Sequence, residues 1–404
     1  MLFLRGLLML VLSGVFLCGC VPQQELLRYR PDSLSPVCVG LVLPLSGPEA
    51  SQGKRMLNGA VLAVDEINSS RGHFGRRVKL IVCDSGSTVQ GAAKGFEQAV
   101  NSGAIGVVGG YSTPEAQAMS PCAKRFRVPF VIAMATGNDD RINANPFVFR
   151  AVFTDKQQAA MLAGYLKYYR RANRITVAAS ADPDAVYSRN AAQEIVTAFK
   201  ELGGKHAFLR EIRTAAPEAA LREIIASLPD AVVLPFEGKK AGQFFRLLRQ
   251  YGYNGLICGT DSWDDQAFFD ALRGMKRPGN NFYIAFFNGE SSRVEFLNFK
   301  NTFRKKRFYL PGSCEVQTFD AVNMLLTGFG KNAGTLKQFQ KNWLSMRKYP
   351  GAAAIYTMLP GNKIDRTMYI NRVGISGADK SKFVPKNITG LQHSRLKAYA
   401  VDDE

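Results

Sequence analysis

The stretch "LPLSGPEASQGKRMLNGA" raises the possibility of phosphate chemistry. Five residues separate Gly47 from Gly53, and Lys54 and Arg55 follow. A phosphate loop needs four residues between its glycines, so that successive N–H groups close around the anion, and a Ser or Thr hydroxyl after the lysine for magnesium. The count is wrong here and Arg55 stands where the hydroxyl belongs. The stretch therefore reads as the end of a strand, a tight turn and the start of a helix. "GGYSTPEAQA" carries a better site. Gly109 and Gly110 end a strand, and Ser112 or Thr113 can cap a helix with Pro114 and Glu115 in its first turn. Such a helix end offers free N–H donors and a partial positive charge, which suits a carboxylate; the alternative is ordinary capping with no ligand. "AMATG" ends another strand, and "CGTDSW" puts Asp261 just beyond one more. Ligands sit at the carboxyl ends of strands in open α/β sheets. An unpaired carboxylate shielded from water calls for a cationic partner, and the alternative for Asp261 is a cap for a helix near Asp264.

Catalysis finds little support. The three histidines, His73, His206 and His393, occupy no H-E-x-x-H pattern and neighbour no plausible nucleophile; each reads as a surface or loop residue. No G-x-S-x-G elbow and no C-x-x-C metal pair occurs. The expectation is a binding protein, not an enzyme, with no metal and no cofactor. Beyond Cys20 the cysteines are Cys38, Cys83, Cys122, Cys258 and Cys314, an odd number widely spaced, expected mostly as buried free thiols.

The elements that must hold these residues alternate. "VCVGLVLPL", "VKLIVCD", "AIGVVGG" and "VPFVIA" are short apolar runs typical of strands buried on both faces, and helices separate them at Lys54–Ser69, Val89–Asn101 and Pro114–Phe126. The pattern restarts after about residue 153: helix Asp155–Tyr169, strand "RITVAAS", helix Tyr187–Leu202, then "HAFLREI", "DAVVLPF" and "GLICGT" with helices between. This is the signature of parallel βαβ units, and its repetition predicts two similar doubly wound lobes. Towards the end, Cys314–Phe329 and Thr335–Met346 read as helices, and "AAAIYTML" and "RTMYINRV" as a hairpin around "PGNKID".

Met1–Leu17 has one charge, Arg5, and an apolar run from Leu7 to Leu17 that is short for a bilayer span. The formal net charge of the 404-residue chain is +19, and residues 291–400 hold nineteen Lys/Arg against five Asp/Glu, including the run "FRKKRF". A basic face suits an anionic lipid surface, an acidic partner or plain solvation.

Taken in order, "VGLVLPLSGPEASQGKRMLNGAVLAVDEIN", "GVVGGYSTPEAQAMSPCAKRFRVPFVIAMATG", "FVFRAVFTD", "LPDAVVLPFEGKKAGQFFRLLRQYGY" and "CGTDSW" resemble the periplasmic ligand-binding proteins of the leucine/isoleucine/valine and amide transport type, from about Val37 to Val373. Leu17-Cys18-Gly19-Cys20 likewise resembles a bacterial lipobox, which implies cleavage before Cys20 and lipid on that residue. The family resemblance implies the type I binding-protein fold, two α/β lobes joined by a three-segment hinge near Arg150–Asp155, Asn280–Asn288 and Tyr349–Ala354. With the N-terminal run read as a secretory signal and the weakly periodic stretch after it as a tether, the chain divides into a signal peptide (1–19), a tether (20–35), lobe 1 (36–152 plus 285–350), lobe 2 (153–284 plus 351–376) and a C-terminal tail (377–404). The family resemblance also implies the ligand contacts. Thr113 with Ser112 would take a ligand carboxylate, Ala135 and Thr136 would offer a carbonyl and a hydroxyl, and Asp261 would pair with an ammonium. Tyr187 would line the cleft, Glu237 or Phe236 would form a further wall, and Gln52 stands where relatives often carry a ring. Glu237 in a place where aromatic residues are common favours a more cationic or more polar ligand than leucine. The implied function is an extracytoplasmic, lipid-anchored monomer. It captures an amino acid or amide by hinge closure and delivers it to an ABC-transporter permease, with no nucleic-acid partner. The alternative is a ligand-sensing or envelope-regulating lipoprotein on the same fold.

Overall fold

The computed structural model describes residues 25–137, 139–183, 185–361, 363–375 and 383–392. The lipobox and its Cys20, the signal peptide and His393 lie outside the described residues.

The first run of the chain forms β1 (Val37–Leu43), α1 (Ala50–Ser69), β2 (Val78–Asp84), α2 (Val89–Asn101), β3 (Gly106–Gly109), α3 (Thr113–Phe126), β4 (Phe130–Ile132), α4 (Asp140–Asn143) and β5 (Val148–Arg150). Its five strands are all parallel and lie in the order β2-β1-β3-β4-β5. The second run gives α5 (Asp155–Gly164, continued by one π turn to Tyr169), β6 (Arg174–Ser180), α6 (Val186–Glu201), β7 (His206–Ile212) and α7 (Glu218–Ala226). It goes on through β8 (Ala231–Leu234), α8 (Gly238–Gln250), β9 (Leu256–Gly259), α9 (Gln266–Ala271) and β10 (Asn281–Ala285). Its strands repeat the same permutation, β7-β6-β8-β9-β10. The chain then supplies α10 (Val294–Arg307), α11 (Ser313–Phe329) and α12 (Leu336–Ser345) before β11 (Tyr349–Pro350), β12 (Ile355–Leu359), β13 (Lys363–Ile375) and β14 (Phe383–Gln392). β13 runs antiparallel to β10, and with β11, β12 and β14 it extends the second sheet to nine strands. Two parallel-sheet α/β lobes are therefore present.

Strands β1, β3, β4 and β5 are almost wholly buried, which is why each reads as a continuous apolar run. α11 is buried along nearly its whole length, from Ser313 to Phe329. It crosses behind α1, where Gly59 is so close that an added Cβ would lie 2.1 Å from the Glu315 carbonyl oxygen. Arg55 on α1 and the fully buried Glu315 on α11 close this contact as an ion pair at 2.8 Å.

Three expectations need correction. Residues 25–35 are not a free tether: Leu27 and Tyr29 are buried, Leu27 N donates to the Gly334 carbonyl, and the Tyr29 ring packs on Phe329 at 5.0 Å and under Arg76 at 5.2 Å. The segment 377–404 is not all tail, since Phe383–Gln392 pairs with β13. His73 is a loop residue, between α1 and β2, but not a surface one: it is buried against Tyr29, and burial pushes its pKa down to about 4.

The sheets are linked by chain segments that converge on one side chain. Arg366 on β13 is 1% exposed. Its guanidinium donates to the carbonyl of Ala151 (3.3 Å), which follows β5, to the carbonyl of Phe286, which follows β10, and to Gln317 Oε1 on α11 (2.9 Å). It lies over the rings of Phe153 and Tyr356. Beside it the Asp320 carboxylate accepts from the N–H groups of Ala352 and Ala353 and from the Tyr356 hydroxyl, fixing the third passage between the sheets. Arg366→Leu leaves several buried acceptors unsatisfied, and the expected loss is ~3 kcal/mol or more of unfolding free energy. Urea denaturation checks this; an unchanged midpoint contradicts it.

Candidate functional site

In a sheet ordered 2-1-3-4-5 the crevice opens between the first and third strands, where successive connections leave on opposite faces. For the first sheet this point holds the turn after β1 and the turn after β3. They carry Glu49 and Gln52 on one side and Tyr111, Ser112 and Thr113 on the other. For the second sheet it lies beyond β6 and β8, where Tyr187 and Glu237 stand, with Asp261 beyond the adjacent β9.

The helix end at α3 is built as the sequence implies. Ser112 is the N-cap, in a capping box with Glu115. Thr113 Oγ1 accepts from Gly137 N at 3.0 Å, tying α3 to the loop after β4. Pro114 has no N–H and the Glu115 N–H is capped, so the Thr113 N–H is left without a partner among the described residues. Ala135 and Thr136 lie in the adjoining loop and are buried. Their polar groups are already engaged. The Ala135 carbonyl accepts from Arg150 Nη1 at 2.9 Å, the Thr136 carbonyl from Asp155 N at 2.7 Å, and the Thr136 side chain is hydrogen-bonded to the Asp155 carboxylate. Arg150, also buried, donates to the Gly137 carbonyl as well (2.8 Å); burial lowers its pKa to about 10.

The second lobe brings acid to meet this loop. Asp261 is 8% exposed and Asp155 is 5% exposed. The Tyr187 hydroxyl lies 2.8 Å from Asp261 Oδ1 and 2.9 Å from Thr260 Oγ1. Gln158 joins the two acids: its Nε2 donates to Asp155 Oδ1 (2.7 Å) and its Oε1 accepts from Asp261 N (3.2 Å). Among the described residues no lysine or arginine is hydrogen-bonded or ion-paired to either carboxylate. Arg150 acts on Asp155 only at a distance. Burial, then the charge of Asp155, pushes the Asp261 pKa up to about 7, and burial raises that of Asp155 as well. Asp261 caps no helix; that role falls to Asp265, whose Oδ1 accepts from Ala267 N. Ser188 is buried, and its hydroxyl accepts from Ser180 N at the end of β6.

A second acidic wall spans the cleft. Glu49 on the first lobe has its pKa raised to about 7 by burial, then by the carboxylates of Glu115 and Glu237. Glu237, exposed, starts α8 on the second lobe, whereas Phe236 points into that lobe's core against Phe244. Gln52 Nε2 reaches Asp265 Oδ2 across the lobes at 3.4 Å, and its Oε1 is buried without a partner. Nearby, Ser313 Oγ donates to Asp264 at 2.6 Å, a second hydrogen bond between lobes. Of the eight residues singled out from sequence, Tyr187 is joined to Asp261, Thr113 to the loop that holds Ala135 and Thr136, and Gln52 to Asp265 of the other lobe. Asp155, Gln158, Arg150, Glu49, Tyr111 and Asp265 are additions. Glu49, Tyr111, Arg150 and Asp155 lie within stretches already marked in the sequence, whereas Gln158 follows a Thr154–Gln157 capping box that reads only as a helix cap.

The family profile described as "periplasmic binding protein" matches residues 36–379. The chain belongs to the periplasmic binding protein family. This is a family of substrate-binding proteins, not of enzymes, and its members work outside the cytoplasm. The chain is 26% identical over 246 residues to the Leu/Ile/Val-binding protein BraC3 of Rhizobium johnstonii, covering 60% of this chain and 66% of that one. It is 25% identical over 256 residues to Leu/Ile/Val-binding protein homolog 3 of Brucella melitensis, covering 63% and 68%. The chain therefore spans about two thirds of the length of these curated relatives. Among solved structures, the branched-chain amino acid binding protein LivJ of Streptococcus pneumoniae with isoleucine superposes with a TM-score of 0.74 at 21% identity, covering 87% of this chain and 99% of that one. A binding protein of Rhodopseudomonas palustris in complex with 3,4-dihydroxybenzoic acid gives 0.72 at 18%, covering 89% and 98%. These likenesses fix the fold. Among the described residues no three His, Cys, Asp or Glu side chains are placed to hold a metal ion, and no helix is long and apolar enough to cross a membrane. Cys38, Cys83, Cys122, Cys258 and Cys314 are all free thiols, the last two buried.

Asp261 holds a proton more readily in the folded chain (about 7) than at its ordinary value of 3.8. Folding stability of the ligand-free protein should therefore fall as pH rises from about 4 to about 7, by ~1.4 kcal/mol per unit of pKa difference at most. Asp261→Asn keeps an acceptor for Tyr187 and removes the charge, so its stability should depend less on pH in that window and exceed the parent's at pH 8. Thermal melts from pH 4 to 8 test this. Parallel curves for the two proteins would remove Asp261 from the account.

Proposed function

We propose that the chain captures a small zwitterionic ligand, an amino acid or an amide, by closing its lobes. It then hands the ligand to an ABC-transporter permease while tethered to a membrane by lipid on Cys20. The observation that carries this reading is the pair Asp155 and Asp261, buried together with neutral partners only. A buried carboxylate pair of that kind is stable when a cation arrives with donors of its own. Across the cleft, the unpartnered N–H and the partial positive charge at the start of α3 suit a carboxylate. The two ends together match the ammonium and the carboxylate of one molecule. The Leu/Ile/Val-binding relatives and the isoleucine-bound fold neighbour support an amino acid.

The second wall favours a polar or cationic side group over an aliphatic one. The charge of Glu237 on the other lobe acts on Glu49, Gln52 and Asp265 meet across the lobes, and a leucine side chain there would desolvate carboxylates without pairing them. Lysine, ornithine, arginine and glutamine are accordingly expected to raise the melting temperature of the full chain more than leucine, isoleucine or valine. A ligand at about 100 times its dissociation constant adds ~2.7 kcal/mol of stability. Thr113→Pro, which removes the unpartnered N–H, and Asp261→Asn should each abolish the shift. Affinity for any cationic ligand should fall as pH drops below about 7, where Asp261 and Glu49 take up protons. If leucine, isoleucine and valine gave the largest shifts, the polar-wall assignment would fail. If every zwitterion were silent, the amino-acid reading itself would.

A further inference from the structure

The basic run "FRKKRF" ends α10 in a way that ligand capture does not use. The inward face of α10 is Phe296, Phe299 and Phe303, buried on the first lobe. The outward face carries Val294 and Leu297 and then, at helical spacing, Arg304 and Lys305, all exposed. Lys306 is tied to Asp65 at 2.7 Å, while Arg304, Lys305 and Arg307 form no ion pair among the described residues. Beyond them the helix stops with Phe308 in the left-handed region, φ 63°, and this ring is 90% exposed. Leu310 is 59% exposed. A bulky side chain is disfavoured at positive φ, and neither side chain packs inside the chain.

The turn is nonetheless held firmly. Tyr309, between the two exposed residues, packs edge-on against Phe303 at 5.2 Å, and its hydroxyl bonds to Asn58 at 3.0 Å and to Glu315 at 3.1 Å. Glu315 is itself fixed by Arg55. The structure thus presents an apolar tip ringed by cations on an anchored base. Two exposed apolar side chains beside unpaired cations suit a soft, negatively charged surface with an apolar layer beneath.

We propose that this turn docks on an anionic phospholipid bilayer, with Phe308 and Leu310 entering the headgroup boundary and Arg304, Lys305 and Arg307 meeting lipid phosphates. Aromatic rings settle at such boundaries, and clustered Lys and Arg residues are drawn to anionic leaflets. The contact orients the first lobe on the membrane whatever ligand the cleft takes.

The test uses the full chain carrying Cys20→Ser, so that no acyl chain contributes, and measures co-sedimentation with phosphatidylglycerol-containing vesicles against phosphatidylcholine vesicles. Any association through the N-terminal apolar run is common to both vesicle types and to every variant. The expected result is an excess on anionic vesicles that salt removes. Arg304→Glu with Lys305→Glu should abolish it, and Phe308→Ser with Leu310→Ser should lower it several-fold with thermal melts unchanged. Lys337→Glu with Lys341→Glu, equal in charge change but on α12, should leave the excess in place. Equal binding to both vesicle types overturns the proposal. So does equal loss in the α12 control, which would reduce the effect to net charge, or capture of an acidic protein with no vesicle excess.

Discussion

One buried guanidinium governs how the two lobes can be related. Arg366 donates at once to the chain leaving β5, to the chain leaving β10 and to α11, while its own strand belongs to the second sheet. A guanidinium offers five N–H groups in one rigid plane, so the acceptors it gathers are held at fixed mutual directions. The connecting segments therefore cannot drift apart independently. Asp320 adds the third segment through Ala352 and Ala353, and the Tyr356 hydroxyl links both systems. Burying this much charge is costly unless every hydrogen-bonding site is met. Here the acceptors are mainly main-chain carbonyls, which ties the charge to the path of the chain and not to one replaceable partner.

Above that anchor, the cleft concentrates carboxylates where the sheets meet. A site made of neutral hydroxyls and amides would bind a zwitterion weakly but cost little when empty. Asp155 and Asp261 reverse the balance: under the proposed reading, a ligand's ammonium supplies the cationic partner that neither carboxylate has among the described residues. Differential stability of this kind is what lets a ligand shift an open–closed equilibrium. The fold does not choose the ligand. Its neighbours include an isoleucine complex and a dihydroxybenzoic acid complex at nearly the same similarity. Discrimination rests on a handful of loop residues at the strand ends.

The sequence made the architecture legible because parallel strands buried on both faces leave unbroken apolar runs, as in "VCVGLVL" and "AVVL". Three-residue strands such as β5 leave too short a run to mark, and β14 contains Pro385 and Gly390 and is a strand only because β13 offers it an edge. In residues 25–35 the polar majority hid two apolar side chains that bury. Individual positions in the site were legible through the helix cap at Ser112 and the family pattern around Asp261. Their partnerships were not. Gln52 and Asp265 are 213 positions apart, and Gln158 earns no attention until the fold sets it between two acids. Phe236 and Glu237 were equal candidates on paper; the direction of β8 sends the ring inward and leaves the acid to the cleft.

Glu49 and Glu237 belong to different lobes, and each lobe carries its acid on a rigid element end. On the proposed reading, closing the lobes brings these two carboxylates nearer, so a bound cation or a proton would favour the closed form and its departure the open one. The pair would then act as a return spring, shortening the life of a closed molecule that carries no ligand.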